Sequence, residues 1–188
     1  MKKAVFWGEM APCDHAVQIY DDDEMFMDAL HEYAAAGLRA DESVVLISTP
    51  AHLEGLESRL RDSGIDVSSA RTEDRYITLD AEETLEQFMR NDWPDDDRFI
   101  YVVGEVIERA RAGGRNVRAF GEMVAILWAN GHAGATLRLE FLWNRLLRTE
   151  NFRLFCAYPR AGFTRGARDS MSVICEMHSK VIGAQAAA

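Results

Sequence analysis

Four consecutive carboxylates, Asp21-Asp22-Asp23-Glu24, follow directly on the strand-like segment His15-Ala-Val-Gln-Ile-Tyr20 and lead into a helix. In a parallel α/β domain this first turn is where a nucleotide-binding protein places a glycine-rich loop. Backbone N–H groups, a lysine and a helix N-terminus there all face phosphate. Between Ile19 and Leu30 the chain has neither Gly nor Lys. Acidic residues suit the positive end of a helix dipole, but they repel a triphosphate. The turn is therefore expected to serve binding or sensing rather than nucleotide hydrolysis.

Arg118, Glu122 and Glu140 form a second group. Glu140 lies among Leu137, Leu139, Phe141 and Leu142, and Glu122 opens an apolar helix. A carboxylate on such a face needs a partner, because stranding a buried charge is expensive. Arg118, on the adjoining strand, is expected to supply it as a structural ion pair. The sharper alternative is that one carboxylate faces a pocket with a shifted pKa.

Cys175-Glu-Met-His178 places a thiol and an imidazole three residues apart on one helical face. Cys156 and the Cys13-Asp-His15 segment would complete a metal set. No Cys-x-x-Cys accompanies them, and buried cysteine usually acts as a small hydrophobe, so no metal and no cofactor are expected. Ser43 and Ser48 lie in no Gly-x-Ser-x-Gly elbow, and no catalytic residue is assigned.

These residues need a scaffold, and the hydrophobic periodicity supplies one. Strands are expected at 15–20, 43–48, 75–79, 116–120 and 152–158. Helices are expected at 22–37, from Pro50 to Gly64, from Asp80 through Met89, from Phe99 to Gly113, and at 122–130, 133–149 and about 167–182. Ser43-Val-Val-Leu-Ile-Ser48 is continuously apolar at its centre, as a strand buried on both faces requires. Residues 91–97 read as a loop, polar except for Trp93, a lid or partner anchor. Strands alternating with helices force a mostly parallel sheet, here of five strands or slightly more, flanked by helices on both faces. Residues 1–14 form a lead-in, 15–182 one domain, and 183–188 a disordered tail.

Ligands of open α/β sheets bind outside the carboxyl ends of the strands. Those ends bring together Tyr20, Asp21, Ser48, Thr49, Phe120, Glu122 and Tyr158, a mixture of aromatic and polar groups suited to a small-molecule pocket.

Several stretches together resemble the MEDS domain, a sensory domain named for methanogens and methylotrophs. They are His15–Tyr20, Gly37-Leu-Arg-Ala-Asp-Glu-Ser43, Arg118-Ala-Phe-Gly-Glu-Met123, Leu127-Trp128, Leu139-Glu-Phe-Leu-Trp-Asn144 and Phe155-Cys-Ala-Tyr158. The resemblance implies a three-layer RecA-like fold with a degenerate nucleotide loop. It also implies sensing of small, hydrocarbon-derived molecules and relay to a kinase, anti-sigma or DNA-binding module. No such module is recognised in these 188 residues. A separate regulatory partner, a histidine kinase or transcriptional regulator, is therefore expected. Helix 167–182 and the loop around Trp93 are the candidates for the element that changes state.

The net charge of −10 argues against binding nucleic acid or an anionic membrane surface. No run approaches the ~18 apolar residues of a membrane span, and the three cysteines have no disulfide-framework spacing, so a cytoplasmic protein is expected. The composition is compatible with a homo-oligomer.

Overall fold

A computed structural model of the chain describes residues 7–163 and 167–182. The tail expected at 183–188 and the first six residues of the lead-in lie outside the described residues. The chain runs β1 (His15–Tyr20), α1 (Asp23–Arg39), β2 (Ser43–Ser48), α2 (Pro50–Asp62), α3 (Val67–Thr72), β3 (Tyr76–Asp80) and α4 (Ala81–Phe88). A short hairpin, β4 (Met89–Arg90) and β5 (Trp93–Pro94), leads into α5 (Asp96–Ala110) and β6 (Val117–Gly121). The remainder is α6 (Met123–Ala129), α7 (Ala133–Glu150), β7 (Arg153–Pro159), α8 (Ala167–Glu176) and β8 (Lys180–Ile182).

Six strands form one sheet in the order β3-β2-β6-β7-β1-β8, every neighbouring pair parallel. Alternate side chains of each strand feed opposite layers. Val17, Val45, Ala119 and Cys156 pack under α4, α5, α6, α7 and α8. Ala16, Leu46, Phe120 and Phe155 pack under α1, α2 and α3 together with Trp7 and Met10 of the lead-in. Both β1 and β2 are buried at all six positions, which is why their sequences read as near-continuous apolar runs. Among the described residues no helix is long and apolar enough to cross a membrane.

The expected strands lie within one residue of those observed, but three features differ. The helix expected to continue to 182 stops at Glu176, and Lys180–Ile182 becomes a sixth strand pairing with β1. The open side of β1 offers unpaired backbone groups there, and Ser179 N–H donates to the His15 carbonyl at 2.8 Å to begin the ladder. The 91–97 loop contains a tight hairpin: Asn91 and Asp92 adopt φ +49° and +60°, the conformation of a two-residue type I′ turn. Trp93 is half exposed, with its ring edge against Gly134 of α7. The short helix α3 falls where no regular element was expected.

Candidate functional site

At the carboxyl edge of the sheet, β2 ends at Ser48 and Thr49 stands at the N-cap position of α2. Thr49 makes no side-chain cap bond to its own helix. The cap comes from the neighbouring strand instead. Glu122 follows directly on β6 and is anchored by its N–H to the Ile47 carbonyl at 2.8 Å. One carboxylate oxygen accepts from Thr49 N–H at 2.9 Å and from the buried Ser48 hydroxyl. The other accepts from His52 Nδ1–H at 2.8 Å. A carboxylate at the N-terminus of α2 also meets the positive end of its dipole.

Beside this polar group stands an aromatic wall. Tyr20 stacks on Phe26 with ring centres 4.9 Å apart, and Phe26 meets the His52 ring edge-on at 5.0 Å. Phe120 lies behind Phe26, fully buried. The His52 side chain keeps 23% of its surface and Glu122 10%, so His52 is the more open of the two. Burial alone would raise the Glu122 pKa. The bonds from His52, Ser48 and Thr49 outweigh it and hold the carboxyl below its ordinary range. The Glu122 hydrogen bond raises His52 against the pull of its own burial. Burial first, then the Glu122 charge, pushes the Tyr20 phenol up.

Of the seven expected ligand residues, Tyr20, Ser48, Thr49 and Glu122 meet here, with Phe120 in the layer beneath. Asp21 is turned outward in an ion pair with Arg160 at 2.6 Å. Tyr158 points to the opposite face of the sheet, where its hydroxyl donates to Glu140. His52 was not anticipated. Its signal was its place in the first turn of a helix that starts at a strand's carboxyl end.

The expected pairing of Arg118 with Glu122 and Glu140 is corrected. Arg118 lies four residues before Glu122 along a strand rising ~3.3 Å per residue, so the two are at opposite ends of β6. Glu140 lies across the sheet. Arg118 pairs instead with Glu42, which also binds Arg153 at 2.9 Å. The guanidinium donates to the Trp7 carbonyl at 3.1 Å and lies over the Tyr33 ring, fastening the lead-in to the amino edge of the sheet. An added Cβ at Gly37 would stand 2.9 Å from the Arg118 side chain, so the close approach requires glycine.

Glu140 belongs to a second, fully buried group on the α7 side, with His15, Cys156, Tyr158 and His178. His15 Nε2 lies 3.3 Å from Cys156 Sγ and 3.5 Å from Glu140 Oε2, and His178 Nε2 lies 3.4 Å from Glu140 Oε1. Asn144 orients His15 through a 3.1 Å contact to Nδ1, and the Ile174 carbonyl holds His178 Nδ1 at 2.7 Å. Burial opposes charge on Glu140 and on His178, yet each holds the other ionised: the carboxyl is lowered and the imidazole raised. Burial and the His178 charge depress His15 to about 3. Burial and then the Glu140 charge push the Cys156 thiol and the Tyr158 phenol well up. Cys13 and Cys175 stay outside this group. The Cys13 thiol contacts Asn151 at 3.3 Å, and Cys175 is half-buried on α8.

The sequence model of the family described as MEDS, the MEthanogen/methylotroph, DcmR Sensory domain, matches residues 14–179. The chain belongs to the MEDS family. That span takes in β1 through α8 and most of the chain, so this MEDS domain has a sensing and signalling role. No curated protein is significantly similar to it.

The pair at the edge of this MEDS domain has a calculable pH signature. Glu122, with its lowered pKa, contributes stability above its ordinary 4.5 and loses it as pH falls through the folded value. His52, with its raised pKa, contributes below its ordinary 6.5 and loses it as pH rises through the folded value. The pair therefore acts most strongly between pH 4.5 and 6.5. His52→Ala is expected to cost about 1 kcal/mol there and less above it. A stability difference from the parent that stays flat from pH 5 to pH 9 in thermal melts would refute this pairing.

Proposed function

We propose that this MEDS domain is a non-enzymatic sensor of a small, mostly apolar organic metabolite, bound over the carboxyl ends of β1, β2 and β6. The apolar body of the ligand lies over the edge of Tyr20, with Phe26 and Phe120 packed behind it. Its polar end is met by Thr49, His52 and Glu122. The signal passes to a separate regulatory protein, a histidine kinase or transcriptional regulator, through α8, β8 and the Trp93 hairpin. A ligand shifts such an element only by binding its two states unequally.

The observation that carries the non-nucleotide reading is the cap of α1. Asp22 accepts from Met25 N–H at 2.8 Å, so the helix terminus that would hold phosphate is already satisfied by the chain's own carboxylate. This fits a RecA-like scaffold whose nucleotide loop has degenerated. The ligand-binding part of the reading is supported by a polar group, partly exposed at His52, beside stacked aromatic rings.

Thermal melts test both parts. Saturating ATP with Mg²⁺ is expected to leave the melting temperature unchanged, whereas nucleotide at about 100 times its Kd adds roughly 2.7 kcal/mol. Native mass spectrometry of freshly purified protein is expected to show a small organic adduct that His52→Ala and Glu122→Gln release. Stabilisation by ATP overturns the reading.

One observation favours a second reading. The Glu122–His52 hydrogen bond is the arrangement of an acid–base pair, as a remodelled enzyme or nucleotide site would use it. In that case Glu122→Gln abolishes turnover while the fold persists. A third reading, a ligand-free adaptor, predicts retention of a protein partner without any small-molecule adduct.

A further inference from the structure

His15 on β1, Glu140 on α7, Cys156 on β7 and His178 just beyond α8 each contribute one ligand-type atom, and these atoms all lie within 4.8 Å of one another. All four side chains are buried. The hydrogen bonds around them fix where their lone pairs point. Asn144 Nδ2–H donates to the Met177 carbonyl at 3.0 Å, which turns its own oxygen toward His15. His15 must then carry its proton on Nδ1 and present a bare Nε2 to Cys156 and Glu140. A second proton on Nε2 would place one imidazolium against another, with ring centres 3.9 Å apart. The Ile174 carbonyl, which can only accept, likewise fixes the His178 proton on Nδ1 and turns Nε2 to Glu140.

Four ligand-type atoms thus converge on one buried point, joined only by the Cys156 thiol proton and one proton shared by His178 and Glu140. Among the described residues, Glu140 Oε2 and His178 Nε2 have no hydrogen-bond partner although both are buried. The Nε2 contacts to the carboxylate, at 3.4–3.5 Å, are long for hydrogen bonds. With the unpartnered Glu140 Oε2 as the carboxylate vertex, its 3.5 Å separation from His15 Nε2, and the 3.3 Å from that nitrogen to Cys156 Sγ, match edges of a coordination tetrahedron, about 3.3–3.8 Å for bonds of about 2.0–2.3 Å.

We propose that His15, Glu140, Cys156 and His178 bind one Zn²⁺ in a closed, four-coordinate site. Two imidazoles, a thiolate and a carboxylate suit zinc, and with all four positions taken by protein the site is structural. On binding, the Cys156 thiol proton and the proton shared by His178 and Glu140 leave to solvent, and the ion takes their place. Because His178 follows α8 and precedes β8, the metal ties the C-terminal segment to the sheet. The site shares no side chain with the Tyr20–His52–Glu122 surface, so it stands whatever binds there.

Titrating the metal-free full chain with Co²⁺ alone tests this. One ion per chain is expected, with a thiolate-to-cobalt charge-transfer band and strong tetrahedral d–d absorption, both lost on adding one equivalent of Zn²⁺. The Cys13→Ser/Cys175→Ser double variant leaves Cys156 as the only thiol and is expected to keep the band. Cys156→Ser is expected to lose it. Asn144→Ala is expected to weaken zinc binding about 10–100-fold. No uptake by the parent chain, or loss of the band in the double variant, overturns the proposal. The double variant reads out on a chain whose four ligands are intact, so misfolding of Cys156→Ser does not blunt the test.

Discussion

Glu42→Ala is expected to destabilise the protein by about 3–5 kcal/mol, the cost of removing one member of a buried charge pair. Glu42 stands just before β2 and serves two guanidiniums, Arg118 at the start of β6 and Arg153 at the start of β7. Without it, two cations remain at the amino edge with no other carboxylate partner among the described residues. Arg118 is almost wholly buried and has no route to water. Its contacts to the Trp7 carbonyl and the Tyr33 ring, and the bond from Arg153 Nε to the Met10 carbonyl at 2.7 Å, depend on the same placement. The lead-in from Trp7 to Met10 is therefore expected to loosen with the substitution. Urea unfolding of parent and variant measures the loss, and hydrogen exchange at residues 7–14 reports the loosening. A loss below 1 kcal/mol would mean that the triad only decorates an edge held by packing.

Trp143→Ala is expected to cost a similar ~3–5 kcal/mol, as truncation of a fully buried aromatic does. Trp143 packs edge-on against Phe99 at 5.3 Å, and its indole fills the space over Gly121, where an added Cβ would stand 3.1 Å from the ring. Gly121 is the last residue of β6 and sets the position of Glu122. The same stretch of α7 carries Glu140 and Asn144. A cavity under this helix should therefore disturb both sites, and Trp143→Phe should recover much of the loss by refilling it. Melting curves of the two variants, with cobalt binding by each, separate stability from site geometry. Equal losses for Phe and Ala would show that packing volume at this position is not what matters.

Much of the scaffold is written locally. Continuous apolar runs flanked by capping residues mark buried parallel strands, and β1, β2, β3, β6 and β7 lie where that pattern puts them. The acidic first turn was equally legible, since Asp22 caps its own helix three residues on. Lys180–Ile182 was not, because a three-residue strand has no period of its own and exists only because β1 has a free edge. The Asn91-Asp92 hairpin turn was legible in principle, because those residue types tolerate positive φ.

The sequence by itself determined the alternation of strands and helices, a first turn rich in carboxylates without Gly or Lys, and that Arg118, Glu122 and Glu140 each needed a partner. Which partner each received was decided by tertiary structure alone. Strand register placed Arg118 beside Glu42 at one end of the sheet and Glu122 beside His52 at the other. Side-chain alternation sent Tyr158 and Cys156 to the face opposite Tyr20 and Phe120. Crossovers spanning more than a hundred residues brought His15 to Glu140, Cys156 and His178. Local propensity sets an element and its buried faces, but charge pairing and ligand sets depend on which strands become neighbours, and that follows only from the folded topology.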